Sequence, residues 1–268
     1  MKNKLCIYDI GAANFLPEHF PLKSELVYVH FEPDARGLNA LKQWLKLKQT
    51  NANHIFFNQA VGEKSKIAKL ELASKNTSSS IVEPGFDGEH VDVSVAPLNS
   101  LILEHKLPFP DVIKIDVEGY ELEVLSGIDL QDQRIKVVEV EVTLNSGKLS
   151  EVITMLSTNS FQLSKLRTHG DQKYNPRNWF RGKLHGLSRK LKLANYGVIR
   201  SEESWSKPTT PLTQIEFVFT RGIDLYTEDP IERTICDIYG LAHRKSASDH
   251  LKCGQRKADL LSEFTLIR

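Results

Sequence analysis

Two carboxylates stand one residue apart, at Asp116 and Glu118, where a strand pattern gives way to a helical one. Residues 111–116 are rich in β-branched apolar side chains, residues 120–128 have helical spacing, and Gly119 lets the chain turn between them. Carboxylates in such a turn can act as a general base or accept hydrogen bonds from a ligand. Taken alone, the pattern is more often a solvated acidic turn that caps a helix, so a second motif must support the functional interpretation.

That second motif follows the N-terminal strand pattern at 5–10, where small residues come after Asp9 and Gly11. Small residues let the backbone approach a ligand, and we expect a helix to begin after the turn. The dinucleotide-binding pattern is missing, because Ala13 and Leu16 occupy the positions of its second and third glycines. Asp9 would repel a pyrophosphate and suits a ligand that carries an ammonium group.

A third carboxylate, Glu32, ends the strand pattern at 26–31 and lies 23 residues after Asp9. An acid at this point of an open α/β sheet is the expected acceptor for two ribose hydroxyls. The alternative is an acidic start to the helix predicted over 35–48. That alternative fits Asp34 better than Glu32, which precedes Pro33.

Glu139 and Glu141 alternate within the strand pattern at 135–144, so both should face the same side of the sheet. Two carboxylates in a central strand are costly unless they meet water or a site. Glu141, nearer the carboxyl end of the strand, is the better functional candidate.

The remaining patterns predict an open α/β sheet, whose carboxyl edge is where ligands bind in such folds. They comprise a third strand over 54–61, an added strand over 67–73, a polar loop over 76–83, a strand and helix start over 91–102, a helix over 149–158, and strands over 161–166 and 214–222. The spacing suggests a hairpin-like insertion before residue 111.

Composition is that of an ordinary soluble globular protein: 40% of residues are hydrophobic, 26% are charged, and the net charge is +1. Three scattered cysteines without a CxxC pair fit a reducing compartment, and the N-terminus lacks a signal-peptide pattern, so we expect a cytoplasmic protein. No window is long and apolar enough to span a membrane. Residues 166–268 carry an excess of basic side chains, which would suit an anionic acceptor or a mildly basic surface.

We predict one catalytic domain over residues 1–222, followed by a helical C-terminal extension over 223–268. Residues 167–210 have weak periodicity and include a basic, leucine-containing stretch at 181–193. This segment is either a lid over the substrate or a packed surface helix.

The motifs together resemble class I S-adenosylmethionine-dependent methyltransferases and, more narrowly, the FkbM family. The residues that carry the resemblance are DIGAAN at 9–14, FEPD at 31–34, NQAVG at 58–62, IKIDVEGYELEVLSG at 113–127 and VVEVE at 137–141. They cover about half of the chain. The resemblance implies a Rossmann-like sheet of seven mostly parallel strands with an antiparallel terminal strand, S-adenosylmethionine as cofactor, and a methyl acceptor that is a small molecule or glycan.

The resemblance also implies roles for individual residues. The turn after the first strand would hold the methionine end of the cofactor, with Asp9 at its ammonium group, and Glu32 would hold the ribose. The expected cofactor-binding residues are Asp9, Gly11, Ala12, Asn14, Glu32, Pro33, Gln59, Ala60 and Asp116. Asp116, Glu118 and Glu141 are the expected catalytic residues, each as a base or as a hydrogen-bonding group. Two of these three carboxylates could instead hold a divalent metal, and no metal-binding residue is assigned.

The favoured function is O-methylation of a hydroxyl on a sugar, glycan or small metabolite. A catalytically inactive binding module on the same fold is one alternative, and it is supported by Phe15, where the family usually has glycine. An NAD-dependent oxidoreductase is another, but Asp9 and the missing glycines argue against it. Nucleic-acid methylation is disfavoured because no Asn-Pro-Pro-Tyr-type motif follows the central strand. The oligomeric state is not predicted.

Overall fold

The protein is described by a computed structural model that covers residues 4–72, 79–82, 89–143, 148–169, 198–199, 214–223 and 229–241. The chain divides into two compact units, the first made of 1–164 and 214–223 and the second of 165–213 and 224–268. Most of the predicted lid segment, 167–210, lies outside the described residues. The domain division predicted at residue 222 stays a prediction.

The main sheet is mixed, and seven of its described strands lie wholly or partly in the first unit. In the first unit its strands are, in spatial order, β10 (Gln162–His169, of which 162–164 belong to this unit), β12 (Gln214–Thr220), β9 (Val137–Thr143), β8 (Val112–Ile115), β1 (Leu5–Ile10), β2 (Leu26–Phe31) and β3 (Asn53–Phe57). The five strands from β9 to β3 are parallel, and β12 is antiparallel to β9. The α/β class is as predicted, but a seven-stranded sheet ending in an antiparallel strand is not confirmed, because β12 lies inside the sheet.

Buried apolar strands explain this arrangement. Every residue of β1, β2 and β8 is buried, which is typical of parallel strands covered on both faces. Their carboxyl ends therefore meet at one edge, which places the turns after Ile10, Phe31 and Ile115 side by side.

The predicted helix after β1 is wrong: residues 11–25, all of them described, form only turns and bends. Pro17 and Pro21 interrupt any helical pattern in this connection. The backbone N–H groups of Gly11 and Asn14 instead donate to the carbonyls of Phe31 and Gly37, at 2.9 and 3.1 Å. The turn is thus held by the strand and helix beside it, without a helix N-terminus of its own.

The strand predicted over 54–61 is two strands. It breaks after Phe57 because the side-chain amide of Asn58 donates to the carbonyls of Glu32 and Pro33, at 2.9 Å each. The chain then enters a four-stranded second sheet, ordered β4–β7–β5–β6, whose strands are β4 (Ala60–Val61), β7 (His90–Ala96), β5 (Lys66–Glu71) and β6 (Ser80–Val82).

This second sheet is the predicted insertion before residue 111. Within it, β5 pairs antiparallel with both β6 and β7. The polar loop predicted over 76–83 is wrong at 80–82, where Ile81 pairs with Leu70. The apolar Ile81–Val82 pair has strand propensity that the serine-rich context concealed.

Four helices are described in the first unit: α1 (Ala35–Leu47), α2 (Leu98–His105), α3 (Glu121–Ser126) and α4 (Leu149–Thr158). They match the helices predicted over 35–48, 120–128 and 149–158 and the helix start predicted at the end of 91–102. Asp34 caps α1, since its side chain accepts the N–H of Arg36 at 2.9 Å.

In the second unit the end of β10 pairs in parallel with β11 (Val198–Ile199). The other described element there is α5 (Pro230–Tyr239), with Asp229 as its N-cap. The helical extension predicted over 223–268 is described at 229–241, and most of the rest lies outside the described residues.

Gly11 lies where the turn after β1 packs against the turn after β8. Its φ is +84°, and a Cβ at this position would lie 1.8 Å from the carbonyl oxygen of Asp116. Gly119 also has a positive φ, +98°, but a Cβ there would meet nothing within 4 Å. Substituting both glycines therefore distinguishes two effects: both replacements strain the backbone, but only a replacement at Gly11 causes a steric clash.

We expect Gly11→Ala to destabilise the protein by at least about 2 kcal/mol more than Gly119→Ala. Both substitutions strain a positive φ by about 1–2 kcal/mol, but only the first overpacks two backbones. Urea unfolding of both variants measures the difference. Equal losses of stability would contradict the close approach of the two turns.

Candidate functional site

A cleft of about 160 Å³ opens at the carboxyl ends of β1, β2 and β8. The turns after the three strands form its floor and sides, and the second sheet adds Leu70 and Ile81. The predicted site residues that line it are Gly11, Asn14, Glu32, Pro33, Ala60, Asp116 and Glu118. Most of the site residues predicted from the sequence therefore line a single cleft.

Four predicted residues do not line this cleft: Asp9, Ala12, Gln59 and Glu141. Ala12 is buried, the side-chain amide of Gln59 lies 3.3 Å from the hydroxyl of Ser94, and Glu141 lies in β9, one strand away from β8. Their predicted roles stay predictions.

Asp9 lies beneath the cleft, with 1% of its surface exposed. One carboxylate oxygen is 3.3 Å from the ammonium of Lys114, and the other is 3.1 Å from Nδ1 of His30. Burial acts to raise the pKa of Asp9, but Lys114 and His30 outweigh it and lower the pKa. Asp9 is therefore an ionised partner for two buried side chains.

Lys114 was not singled out in the sequence, although it lies in the cleft wall and is only 7% exposed. Its ammonium bridges Asp9 at 3.3 Å and Asp116 at 3.2 Å. Burial would lower the pKa of Lys114, but the carboxylates, chiefly Asp116 and Asp9, raise it above its usual range. The signal was available: a lysine inside the apolar run Val-Ile-Lys-Ile must find an acidic partner.

The polar chain continues from Asp9 across the sheet. His30 Nε2 lies 3.0 Å from Nδ1 of His54, and Nε2 of His54 lies 3.2 Å from the hydroxyl of Thr50. The two imidazoles are stacked, with ring centroids 5.3 Å apart. Burial, together with His30, lowers the pKa of His54 to about 4, so this ring is neutral near pH 7. The network positions Asp9 from the side opposite Lys114.

Glu32 is the buried acid of the cleft, at 6% exposure. Its Oε1 accepts the backbone N–H of Asp34 at 2.7 Å. Burial, reinforced by the charges of Asp34, Asp9 and Asp116, raises the pKa of Glu32 from the usual 4.5 to about 7, despite that hydrogen bond. The folded protein thus holds a carboxylate that ionises near neutral pH at the wall of a ligand-sized cleft.

The turn after β8 is conformationally unusual. Glu118 has a φ of +49° and Gly119 has a φ of +98°, and a non-glycine residue in the left-handed region is uncommon. The N–H of Gly119 donates to the buried carboxylate of Glu121 at 2.6 Å. Burial raises the pKa of Glu121. This acid therefore supports the turn from the first residue of α3.

The family model described as "Methyltransferase FkbM domain" matches residues 9–164. The chain belongs to the FkbM methyltransferase family. The match spans β1 to the start of β10 and therefore includes every cleft-lining turn described above.

Individual relatives of this FkbM-family chain are more distant. The 31-O-demethyl-FK506 methyltransferase FkbM of Streptomyces tacrolimicus is 37% identical over 75 residues, which are 28% of this chain and 29% of that protein. The chain thus aligns with less than a third of the length of this curated relative.

Among solved structures, methyltransferase FkbM from Methylobacillus flagellatus aligns with a TM-score of 0.42 and 14% identity, over 80% of this chain and 44% of that one. The StiE O-MT, residues 942–1257, aligns with a TM-score of 0.35 and 10% identity, over 88% of this chain and 73% of that one. None of the described helices has the length and hydropathy to cross a bilayer.

We expect Glu32→Gln to stabilise the protein at pH 8 by about 1–3 kcal/mol and to have little effect near pH 4. The folded state holds the Glu32 proton more tightly than the unfolded chain does. Between pH 4.5 and about 7 the folded state therefore binds more protons, and wild-type stability falls as the pH rises. Urea unfolding at both pH values measures the effect.

The matched control is Glu63→Gln, which removes a carboxylate that is 53% exposed. It should show no comparable difference between the two pH values. An equal effect of Glu32→Gln at pH 4 and pH 8 would contradict the raised pKa of Glu32.

We also expect Lys114→Met to cost about 3–5 kcal/mol, because it leaves Asp9 buried without its ammonium partner. The double variant Asp9→Asn/Lys114→Met should regain at least half of that loss. The control is Lys64→Met, because Lys64 is 76% exposed and pairs with Glu63 at the surface. This substitution should lower the stability by less than about 1 kcal/mol. Comparable losses for Lys114→Met and Lys64→Met would refute the importance of the buried pair.

Proposed function

We propose that this FkbM-family chain catalyses S-adenosylmethionine-dependent methylation of a hydroxyl on a sugar, glycan or small metabolite. The observation that carries the proposal is Glu32: a buried carboxylate at the end of β2, lining the cleft, with a pKa of about 7. A carboxylate offers several acceptor positions, and the N–H of Asp34 takes one of them. Glu32 can therefore accept hydrogen bonds from a vicinal diol such as that of a ribose.

The charge of the cleft also fits this cofactor, which is positively charged at its sulfur and its ammonium group. Glu32, Asp116 and Glu118 contribute three acidic groups to the lining, and Lys114 contributes a cation. A phosphate-bearing dinucleotide would meet these carboxylates without the glycine-rich helix start that usually holds a pyrophosphate. The residues present therefore fit S-adenosylmethionine better than NAD.

The remaining roles follow from position. Gly11 and Asn14 let the backbone of the first turn approach a ligand, and Pro33 and Ala60 are small or rigid neighbours of Glu32 on the lining. Asp116 is partly exposed, whereas Asp9 is buried against Lys114 and His30. We therefore assign the ammonium-facing role to Asp116 and give Asp9 the role of positioning Lys114.

The cofactor supplies a methyl group on a positively charged sulfur. The chain has to align an acceptor hydroxyl with that group and take up its proton, and alignment is a large part of such catalysis. Asp116 and Glu118 lie on the turn that can face the acceptor. Lys114 lies 3.2 Å from a carboxylate oxygen of Asp116 and orients it, and both Asp116 and Glu118 stay candidates for the base.

We expect S-adenosylhomocysteine to bind the wild-type chain and to bind Glu32→Ala at least about 100-fold more weakly. Two hydrogen bonds to a charged acceptor are lost, each of which contributes about 1.5 kcal/mol or more. Isothermal titration calorimetry measures both dissociation constants. Glu63→Ala, which alters an exposed carboxylate, should bind like the wild type.

Binding of NAD without binding of S-adenosylhomocysteine would overturn the proposed cofactor. Equal binding by Glu32→Ala and the wild type would overturn the role of Glu32. A panel of hydroxylated acceptors, including phosphorylated sugars, then tests for transfer of a labelled methyl group. The acceptor and the cytoplasmic location stay predictions.

A further inference from the structure

Three potential metal ligands from distant parts of the first unit converge. They are His19, in the connection between β1 and β2, Glu139 in β9 and Glu216 in β12. One ligand atom from each lies within 4.8 Å of the other two. Nε2 of His19 is 3.1 Å from a carboxylate oxygen of Glu139.

Sheet register explains how the two acids meet. In the antiparallel pair of β9 and β12, Glu216 lies opposite Glu141 and Val218 lies opposite Glu139. Because side chains alternate along a strand, Glu139, Glu141 and Glu216 all project from the same face. His19 approaches this face from a separate segment of the chain.

The two carboxylates are deeply buried, with Glu139 and Glu216 at 1% and 6% exposure. Buried carboxylates are stabilised by hydrogen-bond donors or by a cation. Lys114, next to Glu139 in the sheet register, pairs with Asp9 and Asp116, and the charges of Glu139 and Glu141 add to the causes that raise its pKa. His19, Glu139 and Glu216 in addition bring one imidazole nitrogen and two carboxylates close enough together to share one cation.

We propose that His19, Glu139 and Glu216 bind a divalent first-row transition cation. One imidazole nitrogen and two carboxylate oxygens suit Mn²⁺, Fe²⁺ or Zn²⁺ better than Mg²⁺ or Ca²⁺, which prefer sites made of oxygen ligands alone. Three protein ligands leave at least one coordination position for water or a ligand oxygen. This site is independent of the proposed methyl transfer, and the cation lies one strand away from Lys114 in the cleft wall.

The test uses the full chain after treatment with a chelator and exchange into metal-free buffer. Mn²⁺ and Zn²⁺ are titrated by calorimetry, and bound Mn²⁺ is counted by electron paramagnetic resonance. We expect one equivalent to bind, with a dissociation constant below about 100 µM and a higher melting temperature in the presence of the metal. Neither readout depends on methyl transfer, so failure here and failure of the proposed function are distinguishable.

Glu216→Gln and His19→Ala should each weaken binding of the cation at least 100-fold, since each removes a direct ligand. Glu141→Gln removes the same charge from the same sheet face without removing a ligand and should change the dissociation constant less than about threefold. Circular dichroism spectra establish that the variants remain folded.

Two outcomes would overturn the proposal. One is the absence of saturable binding of either metal up to 1 mM, together with a higher melting temperature of metal-free Glu216→Gln, which would indicate a shared proton. The other is binding that persists unchanged in both Glu216→Gln and His19→Ala, which would place the cation elsewhere in the chain.

Discussion

The cleft depends on one buried cation. The ammonium of Lys114 holds Asp9 of β1 and Asp116, which follows β8, at 3.3 and 3.2 Å, so it joins two adjacent strand ends by charge as well as by backbone hydrogen bonds. An uncompensated charge in this position would be costly. Lys114 and Asp9 make each other's burial tolerable, and Asp116 adds a second carboxylate beside the buried ammonium. Asp116 remains partly exposed and is the member that a ligand can reach.

Close backbone packing complements this charge network. Gly11 brings the turn after β1 against the carbonyl of Asp116, where a side chain would not fit. The N–H of Asp116 in turn donates to the carbonyl of Ile10 at 2.9 Å. Among residues 11–25, all of them described, no helix follows the turn after β1. These contacts therefore hold the turn in place, as the start of a helix does in dinucleotide-binding folds.

Glu32 illustrates a conflict between stability and binding. Its burial raises its pKa to about 7, which means that the ionised form is disfavoured in the folded protein. A protein selected for stability alone would gain from a neutral side chain at this position. Retaining a carboxylate there is understandable if a ligand with hydroxyl donors compensates for the burial, which is the basis of the proposed function.

The sequence predicted the elements where a pattern is local. Alternation and apolar runs identified β1, β2, β8, β9 and β12, helical spacing identified α1 and α4, and the strand-end positions of Glu32, Asp116 and Glu118 placed these acids on a common edge. Local patterns failed where distant groups decide the outcome. The break between β3 and β4 depends on Asn58 bonding back to the turn after β2, and the path of residues 11–25 depends on contacts with Phe31 and Gly37.

The same distinction between local and long-range causes applies to the contacts of the acidic side chains. The sequence by itself determined that acids stand at the ends of β1, β2 and β8, because strand length and alternation are properties of neighbouring residues. Only the tertiary structure decided that Asp9 serves Lys114 and His30 beneath the cleft, while Asp116 faces into it, and that His19 and Glu216 meet Glu139. The physical reason is that a buried charge is stabilised by whichever group packing brings within a few ångströms, and that distance is set by sheet register and chain path rather than by proximity in sequence.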